Sequence, residues 1–216
     1  MNVKELGLKI KEARHIHPIH RNSIFLAKYI GKKKFKNILE IGTGTGIIAL
    51  YLAKQGSKVT GTDINPDSIK IAKENAKLND LDVHWIVSDL YDNIDGKYEC
   101  IIFVPPYFNF GRFSKVAYIF EKIFPTPIEA WIGYLLDRFF LYEKASTPRR
   151  KLIKKFLEES PPHLSSDGCI FLMIFKSDVP FLEKIPYITY ERINVPFFTA
   201  IAIFKIKYNK LSHQYI

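Results

Sequence analysis

Three glycines within five residues, Gly42, Gly44 and Gly46 in "LEIGTGTGI", stand between a short apolar run and a helical pattern. Such a turn brings backbone amides close to a ligand, because glycine has no Cβ and enters conformations other residues avoid. The helix behind it adds N–H donors that have no partner within the helix. The spacing narrows the choice of ligand. A dinucleotide-binding turn reads G-x-G-x-x-G and requires glycine at position 47, where this chain has Ile47. Asp63 closes the next apolar run, in "TGTDINP". In an open α/β sheet, a carboxylate there lies beside the glycine turn, where ligands bind. It can accept hydrogen bonds from both hydroxyls of a ribose, each contributing roughly 1.5–3 kcal/mol because the acceptor is charged. Alone, Asp63 could be a turn residue or a helix cap; the glycines ahead of it favour the ligand role.

A second constellation lies in "CIIFVPPYFNF", residues 100–110. The apolar run Cys100 to Val104 stops at Pro105 and Pro106, and aromatic Tyr107, Phe108 and Phe110 follow. A rigid proline pair fixes backbone direction before any ligand arrives, and a ring behind it can pack against a flat group. The plainer reading is that the prolines only end a strand.

Glu40 with G-x-G-x-G, Asp63 ending strand two and a PPY corner ending strand four together resemble the class I S-adenosylmethionine-dependent methyltransferases. Within these, the branch that methylates amide or amino nitrogens carries Asn, Asp or Ser followed by Pro-Pro-Tyr or Pro-Pro-Phe. The order of motifs is most similar to the release-factor glutamine N5-methyltransferases and their adenine-methylating relatives. The resemblance covers residues 16–110, including "HPIHRNSIFLA", and returns at 150–176. The basic lead of 36 residues resembles the compact archaeal-type relatives more than the bacterial enzymes, which carry a sizeable N-terminal domain.

The resemblance implies S-adenosyl-L-methionine as cofactor. It places the donor against Glu40, Gly42, Thr43, Gly44, Thr45, Gly46, Asp63, Ile64, Asp89 and Leu90, with Asp63 on the ribose and Asp89 on the adenine amino group. It places the acceptor at Val104, Pro105, Pro106 and Tyr107. In the family, the polar first side chain and a proline carbonyl accept hydrogen bonds from the target NH2 and draw its nitrogen toward a tetrahedral shape. Val104 cannot accept one, so the carbonyl of Pro105 is left. Three readings stay open: another acceptor reaches in, the nucleophile is not an amide or amine, or the protein is a catalytically impaired relative that binds nucleic acid or regulates. The implied partner is a translation factor or a nucleic acid (rRNA, tRNA or DNA) as methyl acceptor, with no membrane. A homodimer or a small activator subunit also stays open, and no metal is expected.

The elements needed to position these groups are legible. Residues 3–14 have an amphipathic helical pattern, and 22–30 read as a short helix capped by Asn22 or Ser23. Strands are expected at 37–41, 58–63, 82–89, 98–104 and 168–175, with helices at 47–56, 65–79 and 148–160. Asn65 and Pro66 are suited to a cap and first helical position. The tail offers two strands, 187–195 and 197–208, as an antiparallel edge pair. Strand alternating with helix gives an α/β fold: a doubly wound, seven-stranded, mostly parallel sheet with a C-terminal antiparallel pair. A basic helical lead, 1–36, would precede a methyltransferase domain, 37–216, with an insertion at about 108–147.

Residues 107–142 hold twelve aromatics, against 14% for the whole chain. Either a lid over the substrate or a subdomain core or dimer contact would use them. The charge is uneven: +8 over residues 1–36, −4 over 37–100 and +6 beyond, within a net +10. That suggests either a polyanionic partner or a lysine-rich solvated surface. Cys100 and Cys169 both sit in apolar runs and read as small core residues. His15, His17 and His20 read as a polar connecting segment rather than ligands. With no signal-like apolar stretch, the cytoplasm is the expected location.

Overall fold

The computed structural model describes residues 2–12, 16, 19, 21–106, 141–195 and 201–209. Its backbone divides into two units, Met1–Phe103 with Glu159–Phe171, and Val104–Glu158 with Leu172–Ile216.

The first unit opens with β1 (Asn2–Val3) and β2 (Leu8–Lys9), a short antiparallel pair, followed by α1 (Arg21–Gly31). This corrects the helix expected over 3–14. Gly7 turns the chain at φ 61°, and the backbone beyond it is held in extended form by side chains of a later helix. Asn22 and Ser23 lie inside α1 rather than capping it. Then come β3 (Asn37–Ile41), α2 (Ile47–Lys54), β4 (Lys58–Asp63), α3 (Pro66–Leu78), β5 (His84–Val87) and β6 (Tyr98–Phe103). Asn65 caps α3 as expected, its side chain accepting from Asp67 N–H at 3.0 Å, with Pro66 in the first turn. Gly56, at φ 92°, ends the α2 segment, and Ser57 N–H reaches back to the Leu52 carbonyl at 3.1 Å.

The strands β4, β3 and β6 lie side by side and parallel, β3 in the middle, with β5 outside β4. A central strand is covered on both faces, so it reads as continuous apolar sequence. Ile38, Leu39, Ile101 and Ile102 are accordingly fully buried. Cys100 and Cys169 are both buried, as core residues. Gly31 of α1 leaves room for the Tyr51 ring of α2, which a Cβ there would meet at 2.9 Å.

In the second unit, α4 (Leu141–Glu159) starts seven residues before the expected 148 and carries Pro148 inside it. β7 (Leu164–Phe175) belongs partly to each unit, and starts before the expected 168. A one-turn helix, α5 (Val179–Leu182), leads to β8 (Ile188–Ile193) and β9 (Ile201–Tyr208), which pair antiparallel as expected. The full order of the seven-stranded sheet is β5-β4-β3-β6-β7-β9-β8. The aromatic segment 107–140 and the histidines at 15, 17 and 20 lie outside the described residues.

Asp178, fully buried in the second unit, is gripped from two sides. Arg149 Nε donates to Oδ2 at 2.7 Å and Arg150 Nε to Oδ1 at 2.9 Å. The Arg149 guanidinium also lies 4.8 Å from the centre of the Phe175 ring. Removing one partner of a buried ion pair strands the other charge, at a cost of about 3–5 kcal/mol. Asp178→Ala should lose stability on that scale in urea unfolding, and a loss below about 1 kcal/mol would show that the pair is not a keystone of this unit.

A candidate methyl-donor site on the first unit

The glycines of the turn are needed for their backbone. Gly42, Gly44 and Gly46 have φ of 73°, 55° and 82°, all left-handed. Thr43 N–H donates to the Thr62 carbonyl at 2.8 Å, fastening the turn to β4, and Gly46 N–H donates to the Thr43 carbonyl at 2.9 Å. Gly42 is exposed and Gly44 half-exposed, so the turn borders open space at these two residues, whereas Gly46 is buried. A Cβ on Gly46 would lie 2.8 Å from Cη2 of Trp85 and 3.1 Å from Cβ of Ala72. Gly61 faces Trp85 across the β4–β5 register, and a Cβ there would meet the indole Cε3 at 2.7 Å. One indole thus lies over two glycines. Sequence reading missed Trp85 and Gly61, and their only signal was a glycine in the middle of a strand.

Beneath the turn sits Glu40, 3% exposed. Its Oε2 accepts from the Thr43 hydroxyl at 2.7 Å and from Ala49 N–H, in the first turn of α2, at 2.9 Å. Burial pushes the carboxyl up to about 8, aided by the charge of Asp63 and opposed by those two hydrogen bonds. Burial therefore favours its neutral form.

Asp63 ends β4 as expected. Its Oδ2 accepts from Gly44 N–H at 2.9 Å and its Oδ1 from Asn65 N–H at 2.9 Å. The Ser68 hydroxyl also donates to it, and burial, the largest influence, raises its carboxyl above the ordinary value. A carboxylate has about four acceptor positions. Three are used, so a ribose taking two hydrogen bonds must displace one of these donors. Ile64, next in the chain, is 65% exposed, and Val87 at the end of β5 is 43% exposed. Asp89 is exposed and Leu90 buried, the latter at a left-handed φ of 47°. Ser88 N–H donates to the Asp63 carbonyl at 3.0 Å, joining the ends of β4 and β5. The Ser88 hydroxyl fixes the turn beyond by donating to the Leu90 carbonyl at 3.1 Å and accepting from Asn93 N–H at 3.1 Å.

Two asparagines one turn apart, Asn75 on α3 and Asn79 at its C-terminal cap, hold the N-terminal segment. Asn79 accepts from Lys9 N–H at 2.8 Å and donates to the Lys9 carbonyl at 2.7 Å. Asn75 does the same to Lys11, at 2.7 and 3.0 Å, and donates also to the Thr45 carbonyl in the glycine turn at 2.9 Å. Two residues of strand advance about 6.6 Å and four of helix about 6 Å, so the pairs match. Ile16 then comes to Gly44, 3.7 Å from where a Cβ would stand. These asparagines were also missed, because their partners lie 64 and 70 residues away.

The proline corner belongs to the second unit. Val104 is half-buried, Pro105 buried and Pro106 exposed. Phe103, just before them, is level with Ile41 in the β3–β6 register. Tyr107 lies outside the described residues.

The first-unit residues fit S-adenosyl-L-methionine. The glycine turn borders open space at Gly42 and Gly44, the Asp63 carboxylate keeps one acceptor position, and the exposed Ile64 side chain beside it can cover an adenine.

The Glu40 shift has a consequence for stability. A raised folded value means the folded state binds the proton more tightly from the ordinary 4.5 to about 8. This contribution is whole below that window and is lost as pH rises through it. Glu40→Gln keeps an acceptor oxygen but cannot ionise. From about pH 5 to about 8, the Tm of the wild type should fall relative to that of Glu40→Gln, and parallel curves would refute the assignment.

A family model described as the methyltransferase small domain matches residues 17–124, half of the chain. A Methanocaldococcus jannaschii protein, provisionally named a protein N5-glutamine methyltransferase, is 33% identical over 168 residues, 77% of this chain and 76% of that one. The release factor glutamine methyltransferase of Lactococcus lactis is 33% identical over 174 residues, 79% of this chain but only 59% of its own length. Against the ribosomal protein L11 methyltransferases of Thermotoga, this chain spans a third of the relative's length. The crystal structure of the ribosomal protein L11 methylase of Lactobacillus delbrueckii subsp. bulgaricus has the same fold, with a TM-score of 0.63, 17% identity and coverage of 92% of this chain and 84% of that one. The chain therefore belongs to the methyltransferase small domain family, as an S-adenosyl-L-methionine-dependent methyltransferase on the class I fold.

Proposed function

We propose that this protein transfers a methyl group to a nitrogen of a protein glutamine or of a nucleic-acid base. The observation that carries the donor half is the left-handed glycine turn hydrogen-bonded to Asp63, with exposed Ile64 beside it. Support for the acceptor half comes from the proline pair directly after β6 and from relatives named for glutamine methylation. The donor, when bound, supplies an activated methyl group on a positive sulfur. The chain then needs mainly to hold the acceptor in line. In this reading the turn at Gly42, Gly44 and Gly46 lies against the donor's methionine and ribose, and Asp63 holds the ribose. Asp89 meets the adenine amino group, with Leu90 offering a backbone contact. The Pro105 carbonyl accepts from the target N–H, and Tyr107 packs on the target's flat face. The residues 37–216 act as the methyltransferase domain, and the aromatic insertion serves as lid or subdomain core.

One observation favours a second reading. Val104 stands, half-buried, where a hydrogen-bond acceptor belongs, which suits a catalytically impaired relative that binds nucleic acid or regulates. Both readings take the cytoplasm as the protein's location. Among the described residues no helix is long and apolar enough to cross a membrane.

Asp63→Ala should weaken donor binding about tenfold to a few hundredfold, on the scale of one or two charge-assisted hydrogen bonds. Calorimetric titration giving an unchanged affinity would remove Asp63 from the donor site. The acceptor is found by incubating the protein with labelled donor and cell lysate, then sorting label into protein, RNA and DNA. Val104→Asn should raise transfer to the amide or amino acceptor so identified. If both forms transfer nothing while binding donor normally, the enzymatic reading fails and the second stands.

A further inference from the structure

The end of the first unit opposite the glycine turn carries a dense group of lysines. Lys32, Lys33 and Lys34 follow α1, Lys36 precedes β3, Lys58 begins β4 and Lys97 precedes β6; all are exposed. The register draws the last three together. Lys58 N–H donates to the Lys36 carbonyl at 2.8 Å, and the Asn37 side chain donates to the Lys97 carbonyl at 2.8 Å. Neighbouring strands lie about 4.8 Å apart, so three ammonium groups start from adjacent strand ends. Like charges so placed repel one another.

Among the described residues no ion pair neutralises these lysines. The side chains of Lys32, Lys34, Lys36, Lys58 and Lys97 make no ion pair with a described residue, and Lys33 lies 5.0 Å from the centre of the Tyr29 ring. Among nearby acids, Glu99 is engaged by Lys36 N–H at 2.7 Å. Asp95 lies before Lys97, and Asp167 lies on the far flank, where Gly168 adjoins the Tyr98 carbonyl. Lys34 is moreover held at φ 56°, where glycine or asparagine would sit with less strain.

We propose that this lysine end is an RNA-docking surface, taking the phosphodiester backbone and separate from the donor site. A protein partner fits less well. Protein interfaces have an apolar centre and are depleted in lysine, and the large apolar residues exposed among those described, Ile64, Leu78, Val87 and Tyr190, belong to other segments. Phosphate contacts, in contrast, are made by lysines without any apolar centre. The five residues of β3 separate this end from the turn, a span of about 16 Å. An RNA held here can reach the pocket only by continuing along the protein, so the surface suits a large folded RNA or its complexes rather than a free nucleoside. This inference stands whichever acceptor is methylated.

The test is fluorescence anisotropy with a labelled single-stranded RNA of about 20 nucleotides, across a salt series. Wild-type affinity should fall with a log–log slope steeper than about −2, at roughly −0.7 per phosphate contacted. The triple variant Lys32→Glu, Lys34→Glu, Lys36→Glu should lose at least about tenfold at moderate salt. A triple of equal charge elsewhere, Lys151→Glu, Lys184→Glu, Lys207→Glu, should lose less than about threefold, and both should bind donor as wild type does. Should the first triple fail to fold, Lys58→Glu with Lys97→Glu probes the same face. A flat salt response, equal losses in both triples, or displacement of the RNA by polyglutamate as readily as by unlabelled RNA would overturn the proposal.

Discussion

The candidate donor site depends on one buried, hydrogen-bonded acid whose ionisation is opposed by burial. Glu40 lies buried on β3, between β4 and β6, and its oxygen accepts from Thr43 in the turn and from Ala49 in the helix. Strand, turn and helix are therefore tied at a single atom. An ionised group here would have only two donors against a large desolvation penalty, and the shift toward about 8 is the result. The neutral form lets Glu40 serve as a structural pin at low cost while Asp63, closer to solvent, keeps acceptor capacity for a ligand. Two carboxylates at the ends of neighbouring strands thus take different tasks because their surroundings differ.

The fold was largely legible because its signals are local. A continuous apolar run marks a strand covered on both faces, and β3 and β4 have the expected bounds because glycine or polar residues close them at each end. The same holds for the asparagine cap and proline start of α3. The glycine turn could be read because left-handed φ at three positions leaves few alternatives to glycine. What failed was long-range. The apolar spacing of residues 3–14 is compatible with a helix, but the actual partners of that backbone are Asn75 and Asn79, whose side chains replace a neighbouring strand. Gly61 gave no hint of its purpose until the β4–β5 register set Trp85 opposite it. β7 begins four residues early, in "LSSD", because pairing carried it into polar sequence that an apolar criterion rejects.

The same contrast applies to the site. Asp63 and the glycines could be placed from spacing alone, because both follow parallel strands into adjacent loops. The number of hydrogen bonds Asp63 already accepts could not, since Gly44, Asn65 and Ser68 approach it only after folding. The lysines were visible as a charge excess, but their gathering at one end depends on the alignment of β4, β3 and β6.

The asparagine clasp also orders events during synthesis. Lys9 and Lys11 leave the ribosome before the side-chain amides that hold them, which emerge 64 to 70 residues later. Until then β1 and β2 have only each other, and the backbone at Lys9 and Lys11 lacks the asparagine contacts that α3 brings. Because Asn75 also grips Thr45, the arrival of that helix secures the beginning of the chain and the glycine turn in one step. A nascent chain stalled before residue 75 would therefore display a loose leading segment beside a turn that lacks one of its supports.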